Sequence, residues 1–262
     1  MIFSLHDSIV PNSIAEADTA FGISNAVARP APETRHLSRE KITVPPAGAV
    51  MRRPRIDKLL ERSAQQFPAT LICGRPGTGK TAIAAAFATS SDRVCWYSLD
   101  STDADWTNFS RYFAECVGGS GGKGQKVAPV PPGGASQSDI AKFLVELFVK
   151  VYRAAGPLVI VLDDIHHLFD AAWFDEFFHL LLFSLPSEAH LLMLCRSKPP
   201  GPLWRLRSKQ MLNVLDEKVI AFDEEEARSL YKRRGLETGR AAKDCDRSFG
   251  RISKLLELAN KA

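Results

Sequence analysis

Gly74-Arg75-Pro76-Gly77-Thr78-Gly79-Lys80-Thr81 is the stretch that decides how this chain is read. The spacing G-x-x-x-x-G-K-T lets successive backbone N–H groups wrap a phosphate, because glycine accepts unusual dihedrals and presents no side chain to block close approach. Just upstream, Ala69-Thr70-Leu71-Ile72-Cys73 is a short apolar run that reads as a buried strand ending at Gly74. Just downstream, Thr81 to Ala88 is rich in alanine, the best helix former. Strand, loop and helix stand in the order a phosphate cradle needs, with the positive end of the helix facing the anion. The loop residues from Gly74 to Thr81 are therefore expected to bind a purine nucleoside triphosphate, ATP above all. Lys80 would reach the β and γ phosphates, and the Thr81 hydroxyl would help hold Mg²⁺.

Working outward, Arg93 to Leu99 reads as a second strand, and Trp106, Phe109, Phe113 and Val117 mark one face of the helix after it. Residues 118–135 hold seven of the 17 glycines and three prolines, a composition suited to a flexible loop within the domain. Ser138 to Ala155 reads as an amphipathic helix burying Ile140, Leu144, Leu147, Phe148 and Val151. Pro157 to Leu162 and Ala189 to Cys195 are continuous apolar runs, as expected of parallel strands covered on both faces. Strands alternating with helices predict an α/β fold of the P-loop NTPase type, a parallel sheet flanked by helices. After about residue 222 only helices are expected, with Asp223 and Glu226 forming a capping box and Gly235 a left-handed stop. The organisation predicted is a poorly ordered leader over 1–38, a nucleotide-binding domain over 39–222 and a partial helical subdomain over 223–262.

Asp163 and Asp164 end the apolar strand, where a carboxylate can reach Mg²⁺. Asp163 is assigned to the metal and Asp164 to orienting an attacking water, alongside Lys80 as a catalytic group. Arg196 ends a later strand, where its guanidinium could sense or stabilise the γ phosphate. His166 and His167 follow the aspartates, but with no Cys or His partner at ligand spacing they read as packing or water contacts.

Composition sets the class. Hydrophobic residues make up 45% and charged residues 24%, and 34 Lys and Arg against 30 Asp and Glu leave a net +4, too small to indicate a nucleic-acid surface. No run approaches the length of a membrane span, and the N-terminus lacks the pattern of an export signal, so a soluble cytoplasmic protein is expected. Five cysteines, an odd number without a C-x-x-C pair, argue against a disulfide framework. Cys73, Cys95 and Cys195 fall in strand-like runs and read as small buried hydrophobes.

Together these residues resemble the MalT-like signal-transduction ATPases, also called the large ATP-binding LuxR-type transcriptional regulators, in the STAND class of P-loop NTPases. The resemblance spans about residues 40 to 260. Val44-Pro45-Pro46 followed by Arg53-Pro54-Arg55-Ile56 is similar to the lead-in segment, which implies that Arg53 lies near the adenine. Trp96-Tyr97-Ser98-Leu99-Asp100 with Asp103, Leu162-Asp163-Asp164-Ile165-His166, Cys195-Arg196-Ser197 and Phe222 to Ala227 resemble successive family motifs in order. The resemblance implies a switch that ATP holds assembly-competent and ADP autoinhibited, with self-association in the ATP state. Where the family usually carries a Gly-x-Pro element touching the base, this chain reads Gly250-Arg251-Ile252. The helical-repeat sensor and the helix-turn-helix have no counterpart in the sequence, so DNA binding is not carried over. A slow ATP-dependent switch is the expectation, because Asp164 reaches less far than the glutamate many fast ATPases use. The alternatives are a AAA+ remodelling ATPase, with Arg205 or Arg207 as arginine finger, and a binding module acting through the apolar helix from Trp173 to Phe183.

Overall fold

The structure, a computed structural model, describes residues 38–46, 51–119, 135–153 and 156–261. The expected leader and most of the Gly/Pro-rich segment lie outside them. Five apolar runs become strands: β1 (Ala69–Cys73), β2 (Arg93–Ser98), β3 (Leu158–Asp163), β4 (Ala189–Cys195) and β5 (Leu212–Leu215). They form one parallel sheet in the order β2-β3-β4-β1-β5. β4 is thus inserted between β1, which leads into the glycine loop, and β3, which carries Asp163. The C-terminal ends of three adjacent strands therefore present the glycine loop, Arg196 and the two aspartates side by side, where ligands bind in open α/β sheets.

β3 and β4 are buried at every position. Their side chains alternate between two cores, as strand geometry requires. Leu158, Ile160 and Leu162 face a core with α3 (Trp106–Gly119), α4 (Gln137–Arg153), α5 (Phe174–Ser184) and α6 (Gly201–Ser208). Val159 and Val161 face the other, with α1 (Pro54–Gln66) and α2 (Lys80–Ala88). The first core is held by aromatic packing: Phe109 lies 4.6 Å from Trp173 and 5.0 Å from Phe177, ring to ring. Such contacts add roughly 0.5–1.5 kcal/mol each beyond area burial. The apolar helix read from Trp173 onward is thereby mostly buried, although Phe183 at its end is 55% exposed.

Beyond β5 come α7 (Glu217–Ile220), α8 (Glu224–Arg233), α9 (Ala241–Ser248) and α10 (Ile252–Asn260). Phe222, Leu230, Tyr231, Cys245 and Leu255 close a small core among α8, α9 and α10. The capping box forms as read, with the Asp223 side chain accepting from Glu226 N–H and Glu226 accepting from Asp223 N–H. Gly235 takes the left-handed conformation at φ 69°.

Two expectations change. Cys95 is buried but not a plain hydrophobe: it is disulfide-bonded to Cys116, 21 residues on, tying β2 to α3. An odd cysteine count excludes full pairing, not a single bridge. Gly118 and Gly119, assigned by composition to the loop, complete α3. Asp163 ends β3, as read from the sequence, and is 8% exposed. β5 was not foreseen. It has four residues interrupted by Asn213 and lacks a period to read.

Candidate nucleotide-binding site

The loop from Gly74 to Thr81 leaves β1 and enters α2 through Gly77 and Gly79, at φ 79° and 89°, where a side chain would be strained. Thr78 Oγ1 donates to Arg75 O at 2.9 Å and braces the turn. Lys80 Nζ donates to Gly74 O at 2.7 Å and to Arg75 O at 3.2 Å, so the ammonium is folded onto the loop's own carbonyls. Burial lowers the Lys80 pKa, against the pull of Asp164 and Asp163. Thr81 Oγ1 donates to Asp163 Oδ2 at 2.9 Å. A hydroxyl and a carboxylate at that separation are the hard oxygen donors Mg²⁺ takes while keeping several waters, so the residues present fit the ion. Burial raises the Asp163 pKa, with the Thr81 hydrogen bond opposing it. A divalent cation beside the carboxylate would favour its charged form.

Asp164 sits in the left-handed region at φ 59°, which swings its carboxylate toward β4. There Arg196 grips it in a fork, Nε to Oδ1 at 2.9 Å and Nη2 to Oδ2 at 2.5 Å. Both oxygens expected to orient water, and the guanidinium expected to meet the γ phosphate, are thus engaged with each other. Either role requires the pair to part. His166 stacks on His167 at 4.3 Å, and burial lowers its pKa.

Arg53 lines a cavity beside the loop, but its guanidinium is already engaged. It is 5% exposed, lies 4.0 Å from the Phe222 ring and donates to Ile220 O, Ala221 O and Glu226 Oε2 at 2.8, 2.8 and 2.6 Å. Arg55 joins through Glu226 at 3.0 Å and Ala221 O at 2.6 Å. These arginines fasten the start of α1 to the stretch from the end of α7 to the first turn of α8. The Arg53 Nε–H, by contrast, has no hydrogen-bond partner among the described residues.

The helical part reaches the loop directly, which sequence reasoning missed. Ser253 N–H donates to Gly77 O at 3.0 Å, and a Cβ on Gly77 would fall 2.7 Å from Ser253 Cβ. Ile252 stands over Gly79. The segment Gly250-Arg251-Ile252 and the start of α10 thus pack directly on the glycine loop. Its glycine is required: at φ 65°, a Cβ on Gly250 would lie 2.4 Å from Phe222 O. Glu217 on α7 was also missed. It accepts from the Arg75 backbone N–H at 3.1 Å and from the Arg75 guanidinium at 2.7 Å. Neither role has a local sequence signal, since each depends on contacts between distant segments.

Two cavities meet at Gly79 and Ala82. One, of about 250 Å³, is walled mostly by apolar groups from α1, α2, α8 and α10, among them Met51, Ile56, Ile83, Phe222 and Ile252. The other, of about 370 Å³, is lined by Pro76, Gly77, Lys80, Thr81, Asp164 and Arg196. An apolar slot joined to a cleft of cations and hard oxygens matches the two ends of a nucleotide.

Fold and site together define a P-loop nucleoside-triphosphatase domain. The chain belongs to the AAA ATPase domain family, whose model matches residues 50–204. Its ATPase region is MalT-like: the HTH-type transcriptional regulator MalT of Yersinia enterocolitica is 28% identical over 212 residues, 78% of this chain and 23% of that protein. MalT of Yersinia pestis matches at the same 28% and over the same shares. The chain spans about a quarter of the length of these curated relatives. Among solved structures, the Walker-type ATPase PABY2304 of Pyrococcus abyssi is similar, with 12% identity, a TM-score of 0.49 and coverage of 80% of this chain and 72% of that one. The Aeropyrum pernix Orc1 protein, solved in complex with DNA, is similar at 20% identity and TM-score 0.46, over 72% of this chain and 50% of that one.

Proposed function

We propose that the chain is an ATP-operated switch of the MalT type, with residues 39–222 as nucleotide-binding domain and 223–262 as a helical subdomain closing over the nucleotide. The observation that carries this reading is the meeting of the apolar slot and the charged cleft at Gly79 and Ala82. The base and sugar would lie between α1, α2 and α10, and the phosphates along the loop. Mg²⁺, held by Thr81 and Asp163, would neutralise developing charge on the phosphates. Lys80 would leave Gly74 O and Arg75 O for the phosphates, and Arg196 would leave Asp164 for the γ phosphate. Asp164, so released, would orient water for slow hydrolysis.

Because α10 touches the loop through Ile252 and Ser253, the nucleotide state is communicated to the helical part through direct contact. ATP would favour self-association and ADP the closed state. The reading implies a cytoplasmic protein, and no helix among the described residues is long and apolar enough to cross a membrane. DNA binding forms no part of the proposal. A ring-forming remodelling ATPase is the alternative. Its arginine finger would be Arg205, paired loosely with Asp175 at 3.6 Å, or Arg207, over the Trp204 ring at 5.0 Å.

Titration with a fluorescent ATP analogue tests the site. Lys80→Ala should abolish binding, and unchanged affinity in that variant overturns the assignment. Turnover by the isolated protein above about 1 s⁻¹ overturns the slow switch.

A further inference from the structure

β1 and β4 place Cys73 directly opposite Cys195 in the parallel register. Cys73 is the last residue before the glycine loop, and Cys195 the last before Arg196. The two sulfurs are 3.1 Å apart, and the single Cys195 S–H has two acceptors in reach, Cys73 Sγ and, at 3.0 Å, Ser197 O. Cys195 is fully buried, whereas Cys73, at the end of its strand, is partly exposed.

We propose that Cys73 and Cys195 form an oxidisable dithiol, a modification site for hydroperoxides, whose disulfide weakens the hold of the glycine loop on nucleotide. The second half rests on the nucleotide reading above; the first stands without it.

The chemistry assigns the two sulfurs different roles. The hydrogen bond from Cys195 lowers the Cys73 pKa, burial opposes it, and the Lys80 cation adds to the lowering. The same hydrogen bond and burial raise that of Cys195. Partial exposure at the strand end assigns Cys73 as the nucleophile, and full burial assigns Cys195 as the resolving thiol. The Cys73 thiolate attacks one peroxide oxygen, the O–O bond breaks, and a sulfenic acid forms as the other oxygen leaves as water or alcohol. Cys195 sulfur then attacks the Cys73 sulfur, the S–O bond breaks, and hydroxide leaves, taking the Cys195 proton as water. Two thiols lose two electrons, and the peroxide gains them.

Closing the bond draws the sulfurs from 3.1 Å to about 2.05 Å, a movement on the order of 1 Å. The next residue, Gly74, is held on both sides: its N–H donates to Cys195 O at 3.2 Å and its carbonyl accepts from Lys80 at 2.7 Å. Tightening Cys73 against β4 strains the residue whose carbonyl anchors Lys80. By reciprocity, bound MgATP shifts the dithiol–disulfide equilibrium toward the dithiol by the same factor by which the disulfide weakens MgATP.

The test treats the full chain, without nucleotide, with hydrogen peroxide, blocks the remaining thiols and maps the disulfides by mass spectrometry. A Cys73–Cys195 cross-linked peptide, separate from Cys95–Cys116 and lost on adding dithiothreitol, is expected. It should be missing from Cys73→Ser and from Cys195→Ala, so that poor folding of the buried variant leaves the first to decide. Cys73 halting at sulfinic acid, or Cys195 still alkylatable after oxidation, overturns the proposal. MgATP titration of the same samples should show at least a fivefold weaker Kd for the oxidised protein, restored by dithiothreitol and unaffected by peroxide in Cys73→Ser. Equal Kd before and after oxidation overturns the coupling. Should Lys80→Ala bind ATP normally, the nucleotide reading fails while the disulfide map still judges the dithiol.

Discussion

Glu226→Ala tests the junction that fastens Arg53 and Arg55 to the start of α8. In the wild-type protein Glu226 Oε2 accepts from Arg53 at 2.6 Å, from Arg55 at 3.0 Å and from Asp223 N–H at 3.2 Å. Arg53 is 5% exposed and Glu226 8%, so this is a buried pair rather than a surface one. Removing one partner of a buried pair typically costs about 3–5 kcal/mol, because the other charge is left without compensation. Arg53 keeps its two carbonyl acceptors, which puts the loss near the lower end. The lost half of the capping box adds about 0.5 kcal/mol. An overall cost of about 3.5 kcal/mol corresponds, for a domain of this size, to a fall in Tm of roughly 7–14 °C. Thermal unfolding followed by circular dichroism measures it. The double variant Arg53→Met with Glu226→Leu buries no orphan charge, and should be more stable than the sum of the single changes by at least about 1.5 kcal/mol. A cost below about 1 kcal/mol for Glu226→Ala, the range of exposed pairs, or strict additivity in the double variant, would refute the reasoning.

Acidification should weaken the same junction. Burial alone would raise the Glu226 pKa, but hydrogen bonds from Arg53 and Arg55 outweigh it and hold it below the usual glutamate value. Its contribution is complete above the unfolded value of about 4.3 and is lost as pH falls through the lower folded value, so Tm should drop more steeply below about pH 4.5 in wild type than in Glu226→Gln. Gly77→Ala places a Cβ within 2.7 Å of Ser253 Cβ at a φ of 79°. Backbone strain of about 1–2 kcal/mol and displacement of α10 should weaken ATP at least about tenfold by calorimetry, with partial recovery when Ser253→Gly is added. Asp163→Asn should leave metal-free ATP binding within about threefold of wild type, yet remove most of the gain in affinity on adding Mg²⁺; a full Mg²⁺ response would move the metal elsewhere.

Much of this molecule was readable because its signals are local. The glycine loop is marked by eight consecutive residues, and β3 and β4 are so fully buried that apolarity alone marks them. Asp223 and Glu226 were readable as a cap for the same reason: three residues separate them. What escaped depends on contacts between distant segments. Ser253 meets Gly77 across 176 positions of chain, and Glu217 meets Arg75 across 142. No period or spacing encodes either. Cys95 and Cys116 look like core residues in a strand and a helix, and only the packing of α3 on β2 makes them partners. Arg53 illustrates a subtler limit. The resemblance put it beside the nucleotide, and it does line the apolar slot, yet its guanidinium is spent on Glu226 and two carbonyls.

The same long-range contacts explain why a switch suits this site better than a fast catalyst. Every charged group that a nucleotide would recruit already has a partner within the protein: Lys80 has Gly74 O, Thr81 has Asp163, and Arg196 has Asp164. A ligand can bias two arrangements only by the difference between its contacts in each. A triphosphate with its metal offers replacements for all three pairings, whereas a diphosphate lacks the γ phosphate that would draw Arg196 from Asp164. The insertion of β4 between β1 and β3 makes this difference count, since Arg196 is carried on the strand that touches both the loop and the aspartates. Separation of the Asp164–Arg196 pair is the step at which ATP and ADP would part company, and it lies one residue from the Cys73–Cys195 contact.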